Sequence, residues 1–376
     1  MTATAKLLRE LIALPSVNPA FAAGNLSIAG EKQVAEFTAV TAARAGLEVE
    51  LQTVLPQRAN IIARLLPQNK IRQTILLAPH LDTVNVADEK QFVPRVKNGK
   101  IFGRGACDTK GSVAAMLMAL CELAKSKARP LETEIVFVGL IDEENAQAGS
   151  RSLARQRFKA DLAIVGEPTR LQVVTAHKGS LWLELTTHGR AAHGATPQFG
   201  HNAVHDMARI VDYLQTDYVA LLKRRRHPLL GHPTANVGLI CGGTQPNIVP
   251  DECGITVDRR TLPGETEAGV RREIQQFLRS KKLSAYIADA KIAPCLPLET
   301  NHKLPLVRAF LRSMGQRKPV GIHFFCDAAV LSAAGIPSVV FGPGDVAQAH
   351  TADEWIALTQ LERAKDMLVR FLRSLP

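Results

Sequence analysis

Five short stretches of this sequence end or follow an apolar run with side chains that can bind a metal ion or move a proton. TILLAPHLD closes on His80 and Asp82, VFVGLIDEE on Asp142, Glu143 and Glu144, and DLAIVGE on Glu167. GRGACDTKG sets Asp108 just ahead of a helix-like run, and VVFGPGDVAQAH reaches His350. Taken singly, each has a mundane explanation. An imidazole after a strand usually packs or caps, Asp108 reads as the N-cap of a helix beginning near Lys110, and Asp82 and Glu167 read as turn acids. Taken together, these explanations weaken. Ligands of an open α/β sheet bind beyond the carboxyl ends of its strands, and so many carboxylates gathered there would repel one another without cations between them.

Two divalent metal ions account for the set. Mixed imidazole and carboxylate ligation suits Zn²⁺ best, with Co²⁺ or Mn²⁺ tolerated. Five ligands for two ions require one to bridge, and Asp108 is the candidate because a carboxylate has two oxygens. Asp82 lies two residues beyond His80, on the same side of an extended segment, and could accept the other ring N–H of that histidine. A bridged pair about 3.5–4 Å apart would keep open positions for water, as a catalytic site does.

The elements that must position these residues form two blocks. In the first, short β-branched strands (NIIARLL, TILLAPH, EIVFVGLI, DLAIVGE) alternate with helices expected near 5–14, 30–46 and in GSVAAMLMALCELAKS. This alternation predicts an α/β layer around a mostly parallel, buried sheet. Near Gly179 the character changes. SLWLELTTHG alternates apolar and polar as a half-exposed antiparallel strand does. Further strands in TANVGLICGG, CGITVDRRTL and SAYIADA, with helices near 201–222 and 266–280, complete an α+β unit of four strands and two helices. Helices near 304–315 and 358–373 and the strand SVVFG then resume the first pattern. The expected organisation is a catalytic α/β domain over 1–178 and 293–376, with an inserted domain over 179–292.

Composition narrows the function. The chain has 376 residues, 46% hydrophobic and 22% charged, with a formal net charge of +11. Its 46 basic residues are spread along the chain and only 5% of residues are aromatic, so nucleic acid is not the expected partner. The one dense basic run, Lys223 to His227, reads as a solvated helix end. A diffuse positive field better suits small carboxylate substrates. Six cysteines without a C-x-x-C pair point to free thiols in a reducing cytoplasm. No apolar run reaches the roughly 18 residues of a membrane span, and MTATAKLLRELIALPS has no signal-peptide core.

APHLDTV, GRGACDTKG, DEENAQAGS, GEPT, GRAAHGATPQFGHNA, NIVPDECGITVDRRTLPGE and FGPGDVAQAHTADE, in this order, resemble the motifs of one family. It comprises zinc aminoacylases, acetylornithine deacetylases, succinyl-diaminopimelate desuccinylases and glutamate carboxypeptidases, and the likeness covers nearly the whole chain. The resemblance implies His80 and Glu167 on one zinc, Glu144 and His350 on the other, and Asp108 bridging. It implies Glu143 as general base and Asp82 as the partner of His80. In the inserted domain, which it implies to be a lid and dimerisation domain, His193 would stabilise the oxyanion, acting on the other subunit in dimeric relatives. Asn247 and Arg260 would bind the substrate carboxylate, and a guanidinium fork suits that task.

The reaction so implied is amide hydrolysis by a hydroxide bridging two metals, with Glu143 shuttling the proton. The substrate would be a small N-acyl amino acid or dipeptide, and the likeness is strongest to acetylornithine deacetylase. A dipeptidase or glutamate carboxypeptidase activity is the alternative, and a metal-binding regulatory protein the non-enzymatic one. The sequence departs from the family at Cys326, where Thr or Ser often precedes the Asp. Cys326 reads as a small pocket or core residue rather than a nucleophile. The chain lacks a complete dinucleotide-binding glycine motif, a P-loop and a G-x-S-x-G elbow.

Overall fold

The computed structural model describes residues 1–289 and 295–376. The chain divides into two compact units. The first comprises Met1–Thr175, Thr300–Val320 and Cys326–Pro376; the second comprises Ala176–Glu299 and Gly321–Phe325. The expected boundary at 292/293 lies outside the described residues. Residues 176–178, the described residues 295–299 and Gly321–Phe325, all read on sequence as part of the α/β domain, group with the second unit.

The sheet of the first unit contains β1 (Glu48–Leu55), β2 (Arg58–Leu65), β3 (Gln73–Pro79), β4 (Thr133–Gly139), β5 (Leu162–Gly166) and β6 (Ser338–Val340). These lie in the order β1-β2-β4-β3-β5-β6. The pairings β4-β3, β3-β5 and β5-β6 are parallel, while β1-β2 and β2-β4 are antiparallel. Every residue of β4, β5 and β6 is buried, as expected of strands covered on both faces. That explains why VFVG and LAIVG show no alternation. The helix Lys110–Ala124 is buried along nearly its whole length, so its Ala, Leu and Met side chains show no polar stripe. Edge-to-face contacts of Phe310 with Phe341 and Phe371, at centroid distances of 5.4 and 4.8 Å, fasten the helices Pro305–Ser313 and Leu358–Arg373 to this core. The helix Ala148–Arg155 and a small sheet of Arg95–Lys97, Lys100–Phe102 and Trp355–Ala357 were not read from the sequence.

The second unit is a four-stranded antiparallel sheet in the order Thr234–Gly242, Glu252–Thr261, Gly179–His188, Tyr286–Asp289. Alternate residues Leu181, Leu183 and Leu185, and Cys253, Ile255 and Val257, point into its core. There they meet Met207, Ile210 and Leu214 from one helical segment and Val270, Ile274 and Leu278 from the helix Glu267–Ser280. Asn202 and Thr266 cap the two helices, accepting from His205 N and Gly269 N. The first helical segment runs from Ala203 to Leu222 through one π-helical turn at Leu214–Tyr218.

Candidate metal centre

Adjacent strand ends in the first unit bring the acids and imidazoles together. Leu81 N donates to Leu140 O at 2.8 Å, and Leu140 N donates to Pro79 O at 2.9 Å. The ladder between β3 and β4 therefore continues past both strands and sets His80 and Asp82 beside Asp142–Glu144. Asp142 turns the chain out of β4 with φ +67°, a left-handed conformation that Asp tolerates better than most residues. Its carbonyl then accepts from Gln147 N at 2.6 Å. Behind this turn, Gly149 approaches so closely that a Cβ would lie 2.6 Å from Asn60 Oδ1 and 2.7 Å from Ile141 N. His350 also has positive φ, +64°, and the Asp108–Thr109 peptide is cis.

Asp108 stands between two imidazoles. Its Oδ1 is 3.1 Å from His80 Nε2, and its Oδ2 is 3.3 Å from His350 Nε2. His350 Nε2 is also 3.3 Å from Glu144 Oε2, and His80 Nε2 is 3.9 Å from Glu167 Oε1. Ligand atoms of His80, Asp108 and Glu144 all lie within 4.8 Å of one another. The five residues expected to hold metal therefore form one contiguous cluster, all from the first unit.

The electrostatics of the cluster call for positive charge. Burial pushes the Glu143 and Glu167 carboxyls well above the ordinary range, and neighbouring acids add to this against the pull of His80. Burial also works upward on Asp108, but contacts with His350 and His80 outweigh it and hold this carboxyl well below the usual range. Asp108 and Glu144 in turn push the His350 imidazole up to about 10. Glu144 Oε1 and Glu167 Oε1 are buried and accept no hydrogen bond. Leaving such an oxygen without a donor costs about 1–3 kcal/mol, and more when charged. Two orphaned carboxylate oxygens beside two imidazoles fit oxygen- and nitrogen-ligated divalent cations, Zn²⁺ among them.

Asp82 has a wider role than orienting His80. His80 Nδ1 is 3.0 Å from the Asp82 carbonyl and 3.5 Å from its Oδ1, so the backbone carbonyl is the closer partner. The carboxylate instead accepts the consecutive N–H groups of Glu143 and Glu144, at 3.0 Å on Oδ1 and 3.1 Å on Oδ2. Asp142 faces away from the cluster, where its Oδ1 accepts from Arg58 Nη2 and Asn18 Nδ2, each at 3.0 Å. Glu354 was assigned no role from the sequence, although it lies only four residues beyond His350. Its buried carboxylate accepts from Arg104 Nη1 at 2.7 Å, Cys107 N at 2.8 Å, Asp108 N at 3.0 Å and Gly105 N at 3.1 Å. It thereby shapes the loop that presents Asp108. Asp327 is likewise buried; it accepts from Ser150 Oγ at 2.5 Å, and burial raises its carboxyl to about 7. Cys326 is fully buried, and burial pushes its thiol well up, which disfavours the thiolate a nucleophile needs.

His193, Asn247 and Arg260 lie in the second unit. Gly194 N donates to Asn247 O at 2.7 Å, and His193 bridges to Ile248, so the first two are neighbours. Both side chains are exposed. Arg260 places Nε and Nη2 each 3.0 Å from Asp258 Oδ2, with its guanidinium 5.8 Å from the Phe325 ring centroid.

A mostly parallel sheet with an imidazole–carboxylate cluster at its strand ends, in a chain that also forms a separate four-stranded antiparallel sheet, is the build of a metal-dependent hydrolase. Residues 76–374 match the profile of peptidase family M20/M25/M40, and the chain belongs to that family. It is 29% identical over 384 residues to an acetylornithine deacetylase of Proteus mirabilis (strain HI4320), spanning 98% of this chain and 96% of that relative. Its fold matches the aminopeptidase PepT of Bacillus cereus with a TM-score of 0.79 at 23% identity, over 98% of this chain and 97% of the other. It also matches the YXEP protein of Bacillus subtilis, described as a dinuclear metal binding peptidase, with a TM-score of 0.70 at 14% identity, over 99% and 97% of the two chains. Among the described residues no helix is long and apolar enough to cross a membrane.

Proposed function

We propose that this hydrolase removes the acyl group from N-acyl amino acids, with N-acetylornithine as its substrate in amino-acid biosynthesis. The observation that carries this reading is the likeness to an acetylornithine deacetylase along nearly the full length of both chains. The net charge of +11 favours the approach of a small substrate that carries a free carboxylate.

In this reading His80 and Glu167 hold one divalent ion, Glu144 and His350 hold the other, and Asp108 serves both. Zn²⁺ is the preferred metal, and Co²⁺ or Mn²⁺ could replace it. When bound, the ions polarise the amide carbonyl and lower the pKa of the attacking water. Glu143 takes the proton from that water and returns it to the leaving amine. Its neighbour Glu144 ligates instead, because consecutive residues leaving the strand point in different directions. His193 stabilises the developing oxyanion, and Asn247 and Arg260 bind the substrate carboxylate, for which Arg260 would exchange its Asp258 partner. The protein works in the cytoplasm as a homodimer formed through the second unit.

The test is a hydrolysis screen of N-acetylornithine, N-succinyl-diaminopimelate and simple dipeptides with added Zn²⁺ or Co²⁺. Release of acetate from N-acetylornithine at the highest kcat/KM is expected. Preferential cleavage of dipeptides would replace the deacylase reading with a peptidase one. Sedimentation equilibrium should give twice the chain mass of 40.8 kDa; a monomer would remove the dimer from the proposal.

A further inference from the structure

The acid triplet that leaves β4 is held by a buried polar network that the chemistry above does not use. Glu31 and Arg58 form a two-pronged ion pair, Nε to Oε2 at 2.7 Å and Nη2 to Oε1 at 2.6 Å. Glu31 Oε1 also accepts from Asp142 N at 3.1 Å, and Arg58 Nη2 donates to Asp142 Oδ1. That same Asp142 oxygen accepts from Asn18 Nδ2, which donates in addition to Asp82 Oδ2 at 2.8 Å. Asn18 is fully buried and its amide is fully used: Oδ1 accepts from Ala20 N at 3.1 Å. Its backbone N donates to Thr83 O at 2.8 Å, which fixes its loop to the segment carrying Asp82.

A carboxamide here does what no acid or apolar group could. Asp82 and Asp142 are both buried carboxylates, and an amide NH₂ offers one hydrogen to each. An aspartate at position 18 would add a third negative charge and no donor. An apolar residue would leave Asp82 Oδ2 with only the Glu144 N–H. We propose that Asn18 is a positioning residue for the Glu143–Glu144 pair. Its amide orients the Asp82 carboxylate so that each oxygen receives one of two consecutive backbone N–H groups, and this aims Glu144 at the metal and Glu143 at the water. The proposal rests on the reading of Glu144 as a ligand and Glu143 as the base.

The experiment titrates the metal-free full chain with Zn²⁺ by calorimetry and measures kcat and KM on the best N-acyl amino acid. The variants are Asn18→Ala, Asn18→Ser and Asp142→Asn. Groups behind a metal ligand typically contribute about 10–100-fold in affinity or activity. Asn18→Ala should therefore weaken one of two Zn²⁺ binding events by at least about tenfold and lower kcat similarly, with KM within about twofold of the parent. Asn18→Ser, too short to reach both acids, should show the same losses and is read alone if the alanine variant does not fold. Asp142→Asn keeps an acceptor for Asn18, so it should lower the melting temperature while leaving both Zn²⁺ affinities unchanged. A folded Asn18 variant with parental affinities and kcat overturns the proposal, as does an Asp142→Asn variant that loses Zn²⁺ affinity as strongly as Asn18→Ala. Glu144→Ala separates the two levels. If it retains both Zn²⁺ events, the ligand reading beneath has failed; if it loses one while Asn18→Ala loses none, only the role of Asn18 has failed.

Discussion

Each unit buries a cluster of charged side chains, and the two clusters are built in opposite ways. In the second unit, Arg259 is fully buried, yet its guanidinium reaches Glu265 Oε1 at 2.9 Å, and the Tyr218 hydroxyl accepts from its Nε at 3.3 Å. Tyr218 donates to Glu273 Oε1 at 2.6 Å, and Arg225 pairs with both glutamates. Every acid there has a cation, and none of its side-chain oxygens or nitrogens is among the orphaned buried atoms. In the first unit, Glu144 and Glu167 keep orphaned oxygens, and the groups of basic type that touch them are the imidazoles of His80 and His350. Charge burial is thus common to both, and unmet demand is peculiar to one. A closed network holds a fold together; an open one is shaped for something the chain itself does not supply.

The sharpest break in this comparison should come from the open cluster. Glu143→Gln keeps the shape but not the base, and general acid–base groups contribute about 10²–10⁴-fold. We expect kcat to fall by about 10³-fold with the metal content measured by mass spectrometry unchanged; activity within tenfold of the parent would remove Glu143 from the role of base. The closed cluster should respond in stability instead. Arg259→Met leaves Glu265 and Glu273 with Arg225 as their remaining cation, and removing one partner of a buried pair costs about 3–5 kcal/mol. Urea unfolding should show a loss near about 3 kcal/mol, with Zn²⁺ affinity intact.

Metal removal tests the open cluster from the other side. A ligand at 100 times its Kd stabilises the folded state by about 2.7 kcal/mol. A chelator should therefore lower the melting temperature of the parent protein and do so less for Glu144→Ala; equal shifts would mean that the metal binds elsewhere. The histidines give the smallest contrast. Burial pushes His177 in the second unit down to about 4, whereas His350 is pushed up to about 10. His177 is neutral in the fold, so between about pH 4 and 6.5 the unfolded chain binds the extra proton, and stability falls as pH falls. From pH 7.5 to 5 this amounts to about 2 kcal/mol. His177→Gln should reduce the acid slope of the unfolding free energy by that amount, and an unchanged slope would show that His177 does not titrate on unfolding.

Much of this organisation was legible in the sequence, for a definite reason. Apolar β-branched runs such as EIVFVGLI and DLAIVGE must be buried strands, and polar residues at their ends must lie where a sheet opens to ligand. The alternation in SLWLELTTHG exposed the second unit in the same way, and the periodic helices near 266–280 and 358–373 correspond to Glu267–Ser280 and Leu358–Arg373. The short helices Ala148–Arg155 and Ala328–Ala333 were not legible, because they are too brief for a period to show. Glu354 and Asn18 escaped for another reason. Each acts through contacts with residues remote in sequence, Glu354 with the loop Arg104–Asp108 and Asn18 with Asp82 and Asp142, and neither type nor spacing reveals such a partner.

The DEE triplet at Asp142–Glu144 divides these two kinds of information. By itself, the sequence determines that three acids follow a buried strand and that something positive must meet them, because adjacent carboxylates repel. Only the tertiary structure decides how that demand is shared. Asp142 turns back to Arg58 through its left-handed backbone, while Glu144 keeps an oxygen that no protein group satisfies. Repulsion is a property of neighbours along the chain; its relief depends on groups that only folding brings within reach.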